Sequence, residues 1–332
     1  MDATALLGHR DAVVGLDYDS SRRLLLSSSE DNSLRLWDLR TNKAARLVKV
    51  SAGVEESVGL CKFMKGETSV VAACGSTLLS FDMRNSAQIV VSSPNLSVKL
   101  DEEINDFDVS PYHGLIAVPT DSGCFTILDD SLQPLVVSNI RKSHQDFCTV
   151  ARWMPDGKSL LTGGQDYSIG IWGYDGRDTA TFRKKSRVEE FFRDPEDSNP
   201  GLIVNPPFVT GMEIVSDGLS CNAAVALGNG SVFTLEGSSD SINTRQARFS
   251  KELHASSVAC VAWMTDCGVQ RARLWSAGTD RTLLLSRAWT DDADPEVRIQ
   301  LQAKPNALKT IDSSSVAVSA TDGNIYIYTV RY

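Results

Sequence analysis

The sequence predicts an all-β fold, a seven-bladed β-propeller whose ring is closed by the N-terminal strand. Three observations predict it. Short aliphatic and β-branched runs of about four to six residues alternate with turn residues along the chain, as in strands. The pattern returns roughly every 40–50 residues, which is the period of propeller blades. Seven such units fit into the 332 residues and leave one strand over at the N-terminus.

The clearest unit begins at Gly8-His9 and continues through VVGLDY, LLLSSS, the turn Glu30–Ser33 and LRLWDL. The same order returns after His144 and after His254, so three of the four histidines share one repeat position. Weaker units fill the intervals, and a degraded copy, VAVSATDGNIYIYTV, closes the chain. The predicted third strands end near Asp38, Asp82, Asp129, Gly173, Glu236, Arg287 and Thr329.

Each unit offers three strands and a looser fourth, such as RLVKVS, PLVVSNI or VRIQLQA. The last unit lacks its own fourth strand, so Ala3–Leu7 is expected to supply the outer strand of the last blade. A ring closed in this way leaves only short, protected strand edges. Residues 1–332 are therefore expected to form one domain, with a loop insertion at 184–207 between blades four and five. The run Lys304–Leu308 is placed ahead of blade seven.

Composition excludes several functions. The net charge of -9 argues against general binding to nucleic acid or to an anionic membrane. No apolar run reaches the length of a membrane span, and the N-terminus has no signal-peptide core. The cysteines are odd in number and lack metal or redox spacing, which favours reduced, buried thiols in the cytoplasm, the nucleus or both. They are Cys61, Cys74, Cys124, Cys148, Cys221, Cys260 and Cys267.

Gly8-His9 together with Trp37-Asp38 resembles the GH…WD signature of WD-repeat propellers, and the pattern covers essentially the whole chain. The resemblance implies a hydrogen-bonded set inside a blade, made of a histidine, a Ser or Thr, an Asp and the Trp. By position the sets are His9, Ser27, Asp31 and Trp37 in blade one, His144, Thr162, Asp166 and Trp172 in blade four, and His254, Ser276 and Asp280 in blade six. Ser286 stands where the third Trp belongs, so that set is expected to be incomplete.

Short motifs in several blades, among them Glu102–Asn105, Phe81–Arg84 and Leu202–Pro206, resemble one particular member of the family.

The sequence contains no signature of catalysis. GxSxG, HExxH and a phosphate-binding glycine loop are absent, and Gly228-Asn229-Gly230 fits a turn. A buried His and Asp need partners and satisfy each other, so the histidines are predicted to be structural. His113 lies in a predicted loop. We therefore expect no enzyme, no cofactor and no metal site. The rival, an enzyme using the central channel, needs carboxylates or histidines repeated on innermost strands, and VVGLDY, VGLCKF, TVARWM and VACVAWM are mostly apolar.

The third strand of blade one ends in Trp37-Asp38-Leu39-Arg40, and that of blade two in Phe81-Asp82-Met83-Arg84. The first resembles the box by which WD-repeat substrate receptors dock on damage-specific DNA-binding protein 1, the adaptor of cullin-4 ubiquitin ligases. A planar, permanently charged guanidinium at a rim suits an interface anchor. The candidate partner contacts are Trp37, Asp38, Arg40, Asp82 and Arg84. The alternative is that WDxR ends are only solvated strand termini.

The insertion Arg183–Gly201 contains VEEFFRD, in which Phe191 and Phe192 either grip a partner or pack onto the adjacent blade. The leading hypothesis is a non-catalytic protein-interaction scaffold, and more specifically a substrate receptor of the cullin-4 ligase. The alternatives are a general WD-repeat scaffold and a reader of modified peptides, such as methyl-lysine or methyl-arginine, at the channel mouth.

Overall fold

The structure, a computed structural model, describes residues 2–50, 57–64, 69–84, 89–112, 114–136, 143–174, 180–188, 206–238, 241–243, 249–264, 272–287 and 294–330. Every strand in these ranges belongs to one of seven sheets of four or five strands, and no α-helix occurs among them. The prediction of an all-β, seven-bladed propeller is confirmed.

Blades one and two each have four antiparallel strands in the order of the chain. Blade one contains β2 (Val13–Asp19), β3 (Leu24–Ser29), β4 (Ser33–Asp38) and β5 (Lys43–Lys49). Blade two contains β6 (Val58–Phe63), β7 (Ser69–Cys74), β8 (Thr77–Asp82) and β10 (Leu96–Lys99). The short strand β9 (Val90–Val91) pairs in parallel with β5, so the chain of blade two reaches back to the outer edge of blade one.

Blades three and four repeat this plan. Blade three contains β11 (Asp108–Val109), β12 (Ile116–Pro119), β13 (Phe125–Leu128) and β14 (Pro134–Val136). Blade four contains β15 (Cys148–Trp153), β16 (Ser159–Gly164), β17 (Ser168–Tyr174) and β18 (Ala180–Arg187). The predicted start of the insertion at Lys184 is wrong, because the fourth strand pairs with β17 as far as Arg187. Residues 189–205 of the insertion lie outside the described residues.

Blades five and six follow. Blade five contains β19 (Val209–Ser216), β20 (Ser220–Leu227), β21 (Ser231–Ser238), β22 (Ser241–Ile242) and β23 (Phe249–Glu252), the last two both pairing with β21. Blade six contains β24 (Val258–Met264), β25 (Arg273–Gly278), β26 (Thr282–Arg287) and β27 (Val297–Gln300).

Blade seven joins the two ends of the chain. It contains β28 (Pro305–Thr310), β29 (Ser315–Ala320), β30 (Ile325–Thr329) and, as its outer strand, β1 (Asp2–Leu6). β1 pairs with β30 from Asp2↔Thr329 to Leu6↔Ile325, which confirms the predicted closure by the N-terminal strand. Four of the five residues in the run Lys304–Leu308 belong to the first strand of the blade, which begins at Pro305, so the placement of this run ahead of the blade is wrong.

The first strand of each blade lies innermost, and β28 lies beside β2. The Asn306 side-chain amide donates to Val13 O at 3.0 Å across this last junction. Apolar clusters of the described residues fill all seven interfaces between successive blades. Trp37, for example, packs against Ile325 between blades one and seven. Burying one such large side chain contributes about 1.5–3 kcal/mol, so the interfaces stabilise the ring.

In six of the seven blades the turn between the second and third strands takes one of two forms. In blades one, four and six the residue with positive φ is not glycine and follows an aspartate: Asn32 at 59°, Tyr167 at 59° and Arg281 at 62°. In blades three, five and seven glycine has the positive φ: Gly123 at 79°, Gly230 at 89° and Gly323 at 81°. The turns are otherwise equivalent, since Asn32 N donates to Ser29 O at 3.1 Å and Gly123 N donates to Thr120 O at 3.2 Å.

Candidate functional site

A chain of hydrogen bonds joins the middle strands of blade one to the loop that precedes it. The indole of Trp37 donates to Ser27 Oγ at 2.9 Å, and Ser27 Oγ lies 2.8 Å from His9 Nε2. His9 Nδ1 lies 3.1 Å from Asp31 Oδ2. Because an ionised carboxylate only accepts, Nδ1 carries a hydrogen and donates to Asp31. The structure thus brings together the four side chains that the family resemblance implied.

Blade four repeats the chain of hydrogen bonds. The indole of Trp172 donates to Thr162 Oγ1 at 3.0 Å, and Thr162 Oγ1 lies 2.9 Å from His144 Nε2. His144 Nδ1 lies 2.8 Å from Asp166 Oδ1. Two blades therefore carry the complete set.

Blade six carries the set without its tryptophan. Ser276 Oγ lies 2.9 Å from His254 Nε2, and His254 Nδ1 lies 3.3 Å from Asp280 Oδ1. Ser286 pairs with Leu274 just as Trp37 pairs with Leu25, so it occupies the position of the Trp. The Ser286 hydroxyl is buried and has no hydrogen-bond partner in the described part of the chain.

The three sets hold the loops at the entrances of their blades. In blade one the Asp31 carboxylate also binds the main chain of the loop, since Arg10 N donates to Asp31 Oδ2 at 3.0 Å. Burial raises the pKa of Asp31, but hydrogen bonds from His9, Ser33 and Arg10 outweigh burial and hold that pKa well below its usual value. In blade six, burial lowers the pKa of His254 despite the neighbouring Asp280, so this imidazole is neutral near pH 7.

The order Ser27–His9–Asp31 matches the connectivity of a hydrolase triad. Ser27 is nevertheless 0% exposed, and its Oγ already accepts the Trp37 indole. A substrate carbonyl has no path to this oxygen in the folded blade. The geometry therefore supports a structural role for the set.

Asp38 and Arg40 form a fork at the end of β4. Arg40 Nε donates to Asp38 Oδ1 at 2.8 Å and Arg40 Nη2 donates to Asp38 Oδ2 at 2.7 Å, while the Arg40 main-chain N donates to Oδ1 at 2.9 Å. The hydrogen bond from the Arg40 side chain holds the pKa of Asp38 at about 2, so the fork is ionised on both sides at neutral pH. The Arg40 side chain remains 63% exposed.

Asp82 and Arg84 form a second fork at the end of β8, in which Nε and Nη2 of the arginine both donate to Asp82 Oδ2. Arg84 Nε donates to Asp82 Oδ2 at 2.7 Å, and the Arg84 main-chain N donates to Oδ1 at 2.8 Å. The Arg84 side chain is 78% exposed. Because both forks end the third strand of neighbouring blades, they lie on the same face of the ring, which we call the arginine face. The Arg46 guanidinium donates to Met83 O and links the two blades there.

The other predicted partner contacts differ in outcome. Trp37 is wrong as a partner contact, because it is 2% exposed and its indole is bound to Ser27. Phe191 and Phe192 lie outside the described residues, as do His113 and Cys267.

A ring of charged side chains lines the central channel, and the sequence analysis missed it. At one register position of the innermost strand, blades one to five and blade seven carry alternating charges: Asp17, Lys62, Asp108, Arg152, Glu213 and Lys309. Blade six carries Ala262 at that position. The six charged side chains line a cavity of about 370 Å³. The turns that follow the first strands also line it, so its mouth opens on the arginine face.

The ring is held by ion pairs between blades. Lys62 Nζ lies 2.7 Å from Asp108 Oδ1, and Lys309 Nζ lies 3.3 Å from Asp17 Oδ1. Burial raises the pKa of Asp108, but Lys62 and Arg152 outweigh it and keep this pKa below its usual value. Arg152 also pairs with the Asp106 carboxylate. Asp108 is therefore ionised at neutral pH despite its position inside the ring.

Two of the ring carboxylates also bind the main chain of the next blade. Phe63 N donates to Asp17 Oδ2 at 2.9 Å, and Trp153 N donates to Asp108 Oδ2 at 2.9 Å. The sequence held a signal for this ring. VVGLDY, VGLCKF and TVARWM each carry one charged residue, and aligning the strands by register places those residues at the same level. The mostly apolar character of these strands was therefore not sufficient to predict a channel without charged side chains.

Other types of site are not found among the described residues. No group of three or more His, Cys, Asp and Glu side chains in these ranges is placed to hold a metal ion. No helix in the described ranges is long and apolar enough to cross a membrane. Burial raises the pKa of the Cys61 and Cys221 thiols to about 12, so both stay protonated and unreactive in the core.

Known proteins resemble the chain in sequence and in fold. The WD domain, G-beta repeat family matches residues 3–38 and 136–173, which contain the side chains of both complete hydrogen-bonded sets. The WD repeat-containing protein 53 homolog of Dictyostelium discoideum is 26% identical over 245 residues, covering 71% of this chain and 65% of that protein. This match confirms the resemblance of the short motifs, which was to WD repeat-containing protein 53.

More distant relatives include a guanine nucleotide-binding protein subunit beta of Zea mays, 28% identical over 51% of this chain and 46% of that protein. Human striatin is 27% identical over 52% of this chain and 22% of its own length. The chain thus spans less than two thirds of the length of these curated relatives.

Among solved structures, the WD40 β-propeller domain of Doa1 superposes with a TM-score of 0.74, covering 99% of this chain and 96% of that one at 14% identity. At this identity the likeness concerns the fold. Together with the seven sheets of the described residues, it leads to one conclusion: the chain folds as a seven-bladed β-propeller, in which residues 3–38 and 136–173 match the WD domain, G-beta repeat.

Proposed function

We propose that the protein is a non-catalytic scaffold in the cytoplasm or nucleus, and specifically a substrate receptor that docks on damage-specific DNA-binding protein 1 of the cullin-4 ubiquitin ligase. The observation that carries this proposal is the pair of Asp–Arg forks on neighbouring blades. WD-repeat propellers are protein-interaction platforms, and the forks are the feature of this one that resembles a known docking box.

The fork prepares each arginine for binding. A guanidinium has five N–H donors, and the contact of Arg40 with Asp38 uses two of them. The other three remain for carboxylate or carbonyl oxygens of a partner. Because the side chain is already held in one conformation, less rotamer entropy is lost on binding. Planar arginines at the centre of an interface are frequent hot spots.

The exposed positions of the two arginines allow their contribution to binding to be tested without disturbing the fold. The side chains of Arg40 and Arg84 are exposed, and exposed ion pairs contribute little to stability. A variant that lacks both side chains should therefore fold normally, and any loss of binding can be assigned to the surface.

The test is co-purification of the adaptor with the double variant Arg40→Ala, Arg84→Ala. We expect affinity to fall by at least about thirtyfold, while the melting curve stays nearly unchanged. The matched control is Arg287→Ala. Arg287 also ends the third strand of its blade, is 60% exposed and pairs with Glu296, but it has no Asp two residues before it. The control should bind like the wild type.

Two outcomes contradict the proposal. Wild-type binding by the folded double variant removes the docking role of the forks. If the wild-type protein does not bind the adaptor, the receptor proposal fails as a whole, and a general scaffold or a reader of modified peptides remains.

A further inference from the structure

We propose that the mouth of the central channel binds a cationic side chain, the guanidinium or ammonium group of a basic segment in a partner protein. The group would lie beside Glu213, where blade six carries Ala262. This site is separate from the two forks and does not depend on the adaptor proposal.

The first argument is the pattern of charge around the ring. Each acidic blade is followed by a basic one: Asp17 by Lys62, and Asp108 by Arg152. Glu213 is followed by Ala262, so the position next to it has no cation. A ring with an odd number of blades cannot alternate throughout, because a cation in blade six would adjoin Lys309 of blade seven. The neutral position is where the alternation is relieved. It leaves Glu213 with a ring cation on one neighbouring blade only, Arg152 of blade four, which also pairs with Asp106.

The second argument is the state of the Glu213 carboxylate. Asp108 has a cation at 2.7 Å and a main-chain N–H at 2.9 Å. Within the described residues, the ion pair of Glu213 is with Lys309 at 3.8 Å, and Lys309 is also 3.3 Å from Asp17. Glu213 therefore shares a cation that is closer to another carboxylate. Its side chain is 28% exposed and faces the cavity.

The third argument is the net charge inside the channel. The mouth cavity and the smaller cavity below it share Lys62, Arg152, Glu213 and Lys309. Together they are lined by four carboxylates, which include Asp106, and by three cations. The lining thus has one negative charge in excess, and one bound cation would neutralise it. Partial desolvation makes such a contact stronger than it would be at the surface.

The rim of the mouth supplies apolar contacts for residues that flank the basic one. Tyr112, in the turn after the first strand of blade three, is 70% exposed and lines the cavity. Leu219, next to the cavity-lining Gly218 of blade five, is 86% exposed. A peptide that places a basic side chain in the channel with an apolar residue on either side matches this arrangement.

The probe is the capped tripeptide acetyl-Leu-Arg-Leu-amide, with lysine or citrulline replacing arginine in two matched peptides. Binding is followed on the full chain by the indole N–H resonances of its tryptophans. Trp263 Nε1 donates to Glu213 O at 3.1 Å and Trp153 Nε1 donates to Asp108 O at 3.2 Å, so both report on the channel, whereas Trp37 reports on a blade interface. We expect the Arg or the Lys peptide, or both, to shift the first two resonances saturably and leave Trp37 unmoved. Citrulline, neutral and of nearly the same shape, should bind at least tenfold more weakly.

Two variants locate the site. Glu213→Gln removes the charge without changing the size of the side chain and should weaken binding at least tenfold. Ala262→Lys places a cation in the vacant position and should abolish binding. Glu296→Gln, an acid on the outer part of blade six, is the control and should bind like the wild type. The double variant Arg40→Ala, Arg84→Ala should also retain peptide binding.

The inference is overturned if no cationic peptide shifts the channel indoles saturably at millimolar concentration, or if citrulline binds as well as arginine. Wild-type binding by Glu213→Gln overturns it as well. Should Ala262→Lys fail to fold, as its melting curve would reveal, Glu213→Gln decides alone.

Discussion

Blades one, four and six solve the same structural problem as blades three, five and seven by opposite means. The first group has the His–Asp set and a non-glycine residue with positive φ in the turn after the aspartate. The second group has glycine in that turn and no histidine at the repeat position of His9. Aspartate hydrogen bonds hold the turn in one group, and the freedom of glycine permits it in the other. The fold therefore does not require the hydrogen-bonded set in every blade.

The set is replaced as a unit. At the position of Ser27, the blades without the set carry apolar residues: Ala72, Val118, Val225 and Val318. At the position of Trp37 they carry Phe81, Leu128, Leu235 and Tyr328. Removing one partner of a buried hydrogen bond costs about 1–3 kcal/mol, whereas replacing both by apolar groups is nearly neutral. Blade six is intermediate, because it has the histidine, serine and aspartate of the set but Ser286 at the position of the Trp. The Ser286 hydroxyl has no hydrogen-bond partner among the described residues.

The two kinds of blade also fit together. His144 N, at the entrance of blade four, donates to Gly123 O of blade three at 2.9 Å. A Cβ on Gly123 would lie 2.5 Å from His144 O and 2.5 Å from Asp146 O. Because Gly123 has no side chain, the loop of blade four that contains His144 can approach it closely. The same contact recurs between Gly230 and His254. Glycine is required there for close approach as well as for its φ.

The largest effect should come from converting blade one to the composition of blade six. Trp37→Ser removes a buried indole and the donor to Ser27, and we expect a loss of about 3–5 kcal/mol of unfolding free energy. Thermal or urea unfolding measures it. A loss below about 1 kcal/mol would show that the Trp is dispensable in a complete set, contrary to the comparison.

An intermediate effect should come from placing a Cβ in the glycine turn. Gly123→Ala combines a left-handed backbone with a clash against two carbonyl oxygens. Gly218→Ala is the matched control, because Gly218 also has positive φ, at 93°, but an added Cβ meets nothing within 4 Å. The control should cost about 1–2 kcal/mol and Gly123→Ala at least about 1 kcal/mol more. Equal melting temperatures of the two variants would refute the close-approach argument.

The smallest effect should come from removing the unpaired hydroxyl in blade six. Ser286→Ala deletes a buried oxygen without a partner, so stability should rise or stay within about 1 kcal/mol of the wild type. Ser276→Ala is the contrasting variant, because it removes the hydroxyl that is bound to His254 Nε2 and should cost about 1–3 kcal/mol. If the two variants lose the same amount of stability, the Ser286 hydroxyl has a hydrogen-bond partner in solution, and the view that the set of blade six is incomplete is wrong.

Local features of the sequence were sufficient for the architecture. Periodic strands and turns predicted seven blades, and the spare strand at Ala3–Leu7 predicted closure. The sets in blades one, four and six followed from the family signature, because their members keep fixed offsets within a blade. Boundaries that depend on pairing were less accurate. β18 runs to Arg187 and β28 begins at Pro305, because hydrogen bonding to a neighbouring strand determines where a strand ends.

What only the tertiary structure decided is the relation between blades. The sequence by itself indicated where the main strands of each blade lie, though not where they end, since strand periodicity is a property of neighbouring positions. It also placed an Asp and an Arg at the ends of two third strands. The alternating ring of Asp17, Lys62 and their counterparts became visible only when seven strands were brought to the same level around one axis. The excess negative charge of the channel lining belongs to no single blade, because electrostatic interaction depends on distances across the channel and not along the chain.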